Sequence, residues 1–340
     1  MNRRTLVIIL AETRAAELTF TNFQDKVLQV LGADLAVCIG ARSDYDTGNP
    51  YYQHAKYRFT YPEPADGDFA VAFDEAYRDM AQQYPDTPLF PWRNYLKVKD
   101  QFMGGIRDPT DQHPGSAAIL IFFRWFLWQQ LVAHDVVDQY DRFVITRSDF
   151  IFQLPHPSLE VLDPDHIWIP DQEGYGGYTD RHVVLTKDTL EPYLNILTGF
   201  ATRPADYYAP MMKQPPYWNL EKVIRWHLVQ TGVDALVRKF PYIMYAVRAR
   251  EGTTRWASGN WSESHGYYIK YPTEYAHASG NQAAYAAARP PLSMDAFYRE
   301  KIVQCNPSPA ATPPPPPADT TMPSYILARR QRRKHAFFST

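Results

Sequence analysis

Arg147, Ser148 and Asp149 interrupt an otherwise apolar run, YDRFVITRSDFIF, near the middle of the chain. Val144, Ile145, Phe150, Ile151 and Phe152 are strand formers, and turn-prone residues bound the run on both sides. A carboxylate inside a buried strand is costly unless it has a partner or the strand ends there. Asp149 is therefore either the ion-pair partner of Arg147 or an acid at the C-terminal edge of a sheet, where open α/β folds bind ligands. Asp180 follows Gly176-Gly177-Tyr178, a loop flexible enough to lie against a substrate, with Arg181 and His182 beside it. Glu221 opens a helix after Pro215-Pro216, where a carboxylate acts as a base or complements the helix dipole. Arg14, in the loop after the first apolar run, has the charge and reach to meet a phosphate.

The elements that must hold these residues begin with a strand over Thr5–Leu10, a helix over Leu18–Leu31 and a strand over Asp34–Ile39. Gly32 stands where the helix C-cap belongs. Such a βαβ unit implies parallel pairing and a right-handed crossover. The loops AETRAAE and GARSDYD then share one sheet edge. Residues 45–115, rich in Tyr, Pro, Asp and Gly, read as long loops and a lid-like insertion with one helix at Ala70–Gln83. The segment Ala117–Ala133 is short and contains Arg124, Gln129 and Gln130. It reads as a buried helix capped by Ser116 rather than a membrane span. Further on come a helix over Asp188–Thr198, a helix from Asn219 closed by Gly232, and one or two strands in DALVRKFPYIMYAVR.

Residues 1–305 read as one large domain and residues 306–340 as a disordered Pro-rich tail. That tail ends in the basic cluster RRQRRK, either simply solvated or read by an anionic partner. A net charge of −2 gives no general pull towards nucleic acid. Cys38 and Cys305 alone build neither a disulfide framework nor a cysteine zinc site, which fits a reducing, cytoplasmic setting. The first apolar run ends at Glu12 with no small-residue cleavage site, so it reads as a strand rather than a signal peptide. No G-x-x-x-x-G-K-[ST], G-x-G-x-x-G, G-x-S-x-G or H-E-x-x-H occurs, which argues against NTPase, dinucleotide, hydrolase and zincin chemistry.

The order of these features resembles GT-A-type glycosyltransferases, and in particular a bacterial, algal and large-virus group of GT-A-like proteins. The matching pieces are LAETRAAELTF, ADLAVCIG, YDRFVITRSDF, IWIPDQEGYGGYTDRH and WNLE, spread over about Arg4–Arg250. The resemblance implies an α/β fold with a GT-A-like (Rossmann-like) mixed, mostly parallel sheet flanked by helices. It implies transfer of a hexosyl or deoxyhexosyl group from a nucleotide-diphosphate sugar to a glycan hydroxyl, as in polysaccharide biosynthesis. It also implies Mn²⁺ or Mg²⁺ on the donor diphosphate, held by a short acidic motif of which Arg147-Ser148-Asp149 looks like a degenerate version.

On that resemblance Asp149 becomes the metal ligand, and His265 in ESHGYYIK is either a late ligand or an ordinary loop residue. Thr13, Arg14, Asp44, Arg147 and Ser148 become donor-binding residues, with Asp44 near the ribose or base. Arg147 stands where an acid is expected, and an arginine there can itself grip phosphate. Asp180 and Glu221 compete for the base that deprotonates the acceptor. Trp168 and Tyr175 offer a sugar platform, although core packing explains Trp168 as well. A nucleotide- or carbohydrate-binding protein without turnover is the alternative on the same fold. A nucleotidyltransferase would show a Gly-rich phosphate loop or paired acids early in the chain, and neither is present.

Overall fold

The computed structural model describes residues 4–98, 101–107, 115–213, 218–251 and 258–307. Its main sheet is built from β1 (Thr5–Ala11), β2 (Asp34–Ala41), β3 (Tyr57–Pro62), β4 (Arg142–Thr146), β6 (Ile167–Pro170), β7 (Val183–Thr186) and β8 (Val237–Phe240). A second, antiparallel sheet contains β5 (Phe150–Phe152), β9 (Met244–Arg248), β10 (Asn260–Ser262) and β11 (Tyr267–Ile269). The main order is β8-β6-β7-β4-β1-β2-β3. All neighbours are parallel except β7, which runs against both β4 and β6. This is the mixed, mostly parallel sheet flanked by helices that the sequence predicts.

The sequence explains why the sheet is buried on both faces. In β1, Leu6, Ile8 and Leu10 enter one core, while Val7 and Ile9 enter the other. A continuous apolar run is what a parallel strand covered on both sides requires. The crossover to β2 starts at Ala16, two residues before the predicted Leu18, and includes a π-helical turn over Gln24–Leu28. Gly32, at φ 54°, ends it in the left-handed conformation that glycine adopts without cost.

Part of the stretch 45–115, read as loops and a lid-like insertion, belongs to the core. Tyr57–Pro62 pairs in parallel with β2 as the edge of the main sheet. The helix Ala70–Gln83, as predicted, buries Ala72, Phe73, Ala76 and Met80 in the core. The edge position leaves β3 with alternating exposure, which hides it in a Tyr-rich stretch. The helix Ala117–Ala133 packs against β1 and β2 as a core element. Ser116 occupies its N-cap position but makes no side-chain capping bond. Among the described residues no helix is long and apolar enough to cross a membrane. The helix predicted over Asp188–Thr198 is two, Lys187–Leu194 and Ile196–Thr202, broken at Asn195.

Met1–Asn306 forms one compact unit. Asn306 belongs to it through its side chain, which accepts from Lys239 N at 2.9 Å and donates to Lys239 O at 2.7 Å. The predicted boundary after residue 305 therefore falls inside the folded unit. The Pro-rich stretch and the basic cluster lie outside the described residues.

Candidate functional site

β1 leads to β2 on one side, and the chain returns on the other side of β1 as β4. Open α/β sheets bind ligands beyond the strand C-termini at such a reversal. Here the stretch Tyr140–Phe152 divides. β4 ends at Thr146, the chain turns through Arg147, Ser148 and Asp149, and Phe150 starts β5 in the second sheet. The three polar residues thus mark a change of sheet. A cleft at this corner is lined by Glu12, Arg14, Arg147, Ser148, Asp149 and Asp180, with Phe69, Leu120 and Phe123 on its apolar side.

Ser148 builds the corner. Its hydroxyl donates to Glu12 O at 3.0 Å and Arg14 O at 3.1 Å, fixing the loop after β1. Its own carbonyl accepts from Thr19 Oγ1 at 2.6 Å and Tyr51 OH at 2.9 Å. Thr13 is bonded to Tyr45 OH at 2.7 Å and is a loop anchor in the same way. Arg14 pairs with Glu12 and leaves its buried Nε without a hydrogen-bond partner.

Asp149 is 2% exposed and is gripped from two sides. Arg147 Nε and Nη2 donate to its two oxygens at 2.9 and 2.7 Å, and Arg248, at the end of β9, donates to Oδ2. Burial would raise the Asp149 carboxyl, but the two guanidiniums outweigh it and hold it far below the ordinary carboxylate range. Lys270, directly after β11, lies in the same field and is 7% exposed. Burial, then repulsion from Arg147 and Arg248, pulls its ammonium down to about 7. The sequence reading missed Arg248 and Lys270. Each stands, like Arg147, at the end of an apolar strand run, in AVR and YYIK, and that was the available signal.

Glu63 and Asp180 line the same cleft. Asp180 lines the cleft, with Arg181 Nε 3.8 Å away and its backbone carbonyl bonded to the buried Arg124 at 3.1 Å. Glu221 stands in the first turn of the helix Leu220–Gln230. Burial, then the Asp180 charge, raises its carboxyl to about 7. Gly177 allows this approach, because a Cβ there would overlap the Glu221 carbonyl. Arg181 is anchored by Glu274, which is 0% exposed, at 2.6 Å and stacks on Tyr271.

The remaining predicted residues lie elsewhere. Asp44 is exposed and pairs only with its neighbour Arg42, outside the cleft lining. His265 sits in the turn between β10 and β11, its Nδ1 at 2.8 Å from Ser262 Oγ. His182 is a core residue, bonded to Thr146 Oγ1 at 3.0 Å and His156 Nε2 at 3.2 Å, and burial depresses its imidazole. Trp168 is likewise core, donating to Asp163 O at 2.8 Å, so it offers no sugar platform; Tyr175 is exposed on the loop before Gly176.

The residues around Asp149 do not fit a divalent cation. Both of its oxygens already accept from arginines, and Arg14, Arg147, Arg248 and Lys270 would all repel a dication there. Among the described residues no group of three His, Cys, Asp or Glu could hold a metal ion.

No protein-family model matches the chain, and no curated protein matches its sequence. Among solved structures it is similar to the apo crystal structure of mouse xyloside xylosyltransferase 1. The TM-score is 0.34 at 7% sequence identity, over 69% of this chain and 84% of that one. At that distance the likeness assigns no residue, substrate or reaction.

Proposed function

We propose that the chain is a glycosyltransferase that moves a sugar from a nucleotide-diphosphate donor to a hydroxyl of a glycan or similar acceptor. One observation carries this reading. At the sheet's switch point one cleft brings the cations Arg14 and Arg147 together with the carboxylate of Asp180, and the buried Glu221 lies within the field of Asp180. In the reaction the bond from the anomeric carbon to the diphosphate breaks, a bond to the acceptor oxygen forms, and the acceptor proton goes to a carboxylate. Cations stabilise the departing charge best when they are fixed before reaction. Asp180, on the cleft wall, receives the proton. Glu221 beside it, its carboxyl raised to about 7 by burial and then by the Asp180 charge, exchanges a proton near neutral pH, where a general base works most effectively.

A role in cytoplasmic polysaccharide synthesis belongs to the same proposal. The full engagement of Asp149 by two arginines favours one second reading, a nucleotide- or carbohydrate-binding protein without turnover. The two separate by assay. Incubation with UDP-, GDP-, CMP- and dTDP-linked sugars should release nucleotide from one donor class, at a rate lowered about 10²-fold or more by Asp180→Asn. Binding of a donor with no release would support the second reading.

A further inference from the structure

We infer that a second cavity, walled by the loop 171–179, binds a neutral, hydroxyl-rich ligand, which on the reading proposed above is a sugar unit of the acceptor. The cavity holds about 440 Å³, against about 80 Å³ for the cleft. That lies within the roughly 300–1,000 Å³ of small-molecule sites. It opens beyond the ends of β6 and β8, on the same sheet edge as the cleft. Thr179 lines it and the next residue, Asp180, lines the cleft. One residue step thus separates this cavity from the carboxylate that receives the proton.

The loop is fixed along its length. Asp171 N donates to Phe240 O at 2.7 Å, Gly177 N to Gly174 O at 2.7 Å and Tyr178 N to Glu221 O at 3.0 Å. Asn219 Nδ2 donates to Tyr175 O at 3.0 Å. Between these ties Gln172, Glu173 and Tyr175 take φ values of 77°, 52° and 44°. Residues other than glycine keep such left-handed values only where their surroundings enforce them. A cavity built before its ligand arrives loses less ordering entropy on binding.

The lining names the ligand class. Its charged residues are Asp171, Glu173 and Lys239. Lys239 Nζ donates to Asp171 Oδ1 at 2.9 Å, while Glu173 accepts from Tyr175 OH and stands 3.6 Å from Arg181 Nη1. Two carboxylates against one ammonium repel a phosphate or any other anion. An ionised carboxylate accepts about four hydrogen bonds, so these two keep capacity beyond their present partners, and Gln172 adds an amide. Hydroxyl groups, which donate and accept, suit that set. Tyr175 supplies an aromatic surface: Glu173 holds its hydroxyl, Arg181 lies 5.3 Å from its ring centroid, and the residue is still 48% exposed. A sugar ring turns its hydroxyl edge to the acceptors and its C–H face to the tyrosine.

The test is saturation-transfer NMR of the full chain with methyl β-glucoside, methyl β-galactoside and methyl α-mannoside, followed by titration of each one that binds. At least one should bind. Tyr175→Ala should weaken it about 10-fold, the scale of one aromatic contact. Asp171→Asn, which keeps shape, should weaken it about 3-fold or more. Asp44→Asn, outside both linings, should leave it unchanged. Thermal melts check that each variant is folded. Binding of none of the three glycosides, or binding that neither Tyr175→Ala nor Asp171→Asn weakens, would overturn the inference. Failure here and failure of the glycosyltransferase reading are separable. Glycoside binding lost in Tyr175→Ala with no donor consumed would support the cavity and sink the activity. Nucleotide release from a donor, with no glycoside bound, would preserve the activity and sink the cavity.

Discussion

Asp149→Asn separates the two roles that the sequence left open for this residue. The substitution keeps shape and one acceptor oxygen but removes the charge between Arg147 and Arg248. Arg248, at 1% exposure, would be left as an uncompensated buried cation beside Arg147. Breaking a buried pair from one side costs about 3–5 kcal/mol. The remaining Asn oxygen recovers part of that, so about 3 kcal/mol is expected. In a domain this large, 1 kcal/mol moves the melting temperature by roughly 2–4 °C, and the mutant should melt about 6–12 °C lower. Urea denaturation should report the same loss with an unchanged slope. The wild-type contribution is present above the ordinary Asp value and disappears as pH falls through the depressed folded-state value, so the gap between the two proteins should close in strong acid. A mutant that melts within a degree of wild type while losing Mn²⁺-dependent turnover would refute this reasoning and restore Asp149 as a metal ligand.

Glu221→Gln should raise stability at pH 8 and leave it unchanged near pH 4. The folded state holds the Glu221 proton up to about 7 while the unfolded chain releases it near 4.5, so this group's contribution falls as pH rises across that window, by roughly 3 kcal/mol at most. Denaturation at several pH values measures it, and a gain that persists at pH 4 would contradict it. Lys270 acts in the opposite sense: with its ammonium lowered to about 7, stability should rise with pH from 7 towards 10, and Lys270→Gln should flatten that limb of the same profile. Gly177→Ala should slow donor turnover at least about 10-fold by pushing the loop off the Glu221 carbonyl; unchanged kinetics would show that the close approach is not needed. Truncation after Pro307 should leave the melting temperature within about 1–2 °C, whereas removing Asn306 as well should cost roughly 1–2 kcal/mol through its two bonds to Lys239.

Much of the frame was legible because its signals are local. The apolar runs at Thr5–Ala11 and Asp34–Ala41, the glycine at 32 and the apolar helix Ala117–Ala133 each announce themselves within a few residues. Strand β3 was not, because an edge strand buries only alternate residues and carries weak periodicity. At the site, the corner Arg147-Ser148-Asp149 was visible as a break in hydrophobicity, but its meaning was not. Arg248 lies 99 residues from Asp149 along the chain, and only the antiparallel pairing of β5 with β9 brings them together. The same long-range pairing supplies Lys270 through β11. Asp44 lies outside the cleft lining for the converse reason: a short sequence distance from β2 does not place a loop residue in a cleft.

The central claim is that Asp180, beside Glu221, takes a proton from an acceptor while Arg14 and Arg147 meet a departing nucleotide. The most direct test is the pH–rate profile of nucleotide release from the accepted donor, for wild type, Asp180→Asn and Glu221→Gln. The account predicts a wild-type ascending limb near pH 7, its removal in Glu221→Gln, and a loss of about 10²-fold or more at every pH in Asp180→Asn. Release at the wild-type rate from Asp180→Asn, or an ascending limb unchanged in Glu221→Gln, would contradict it.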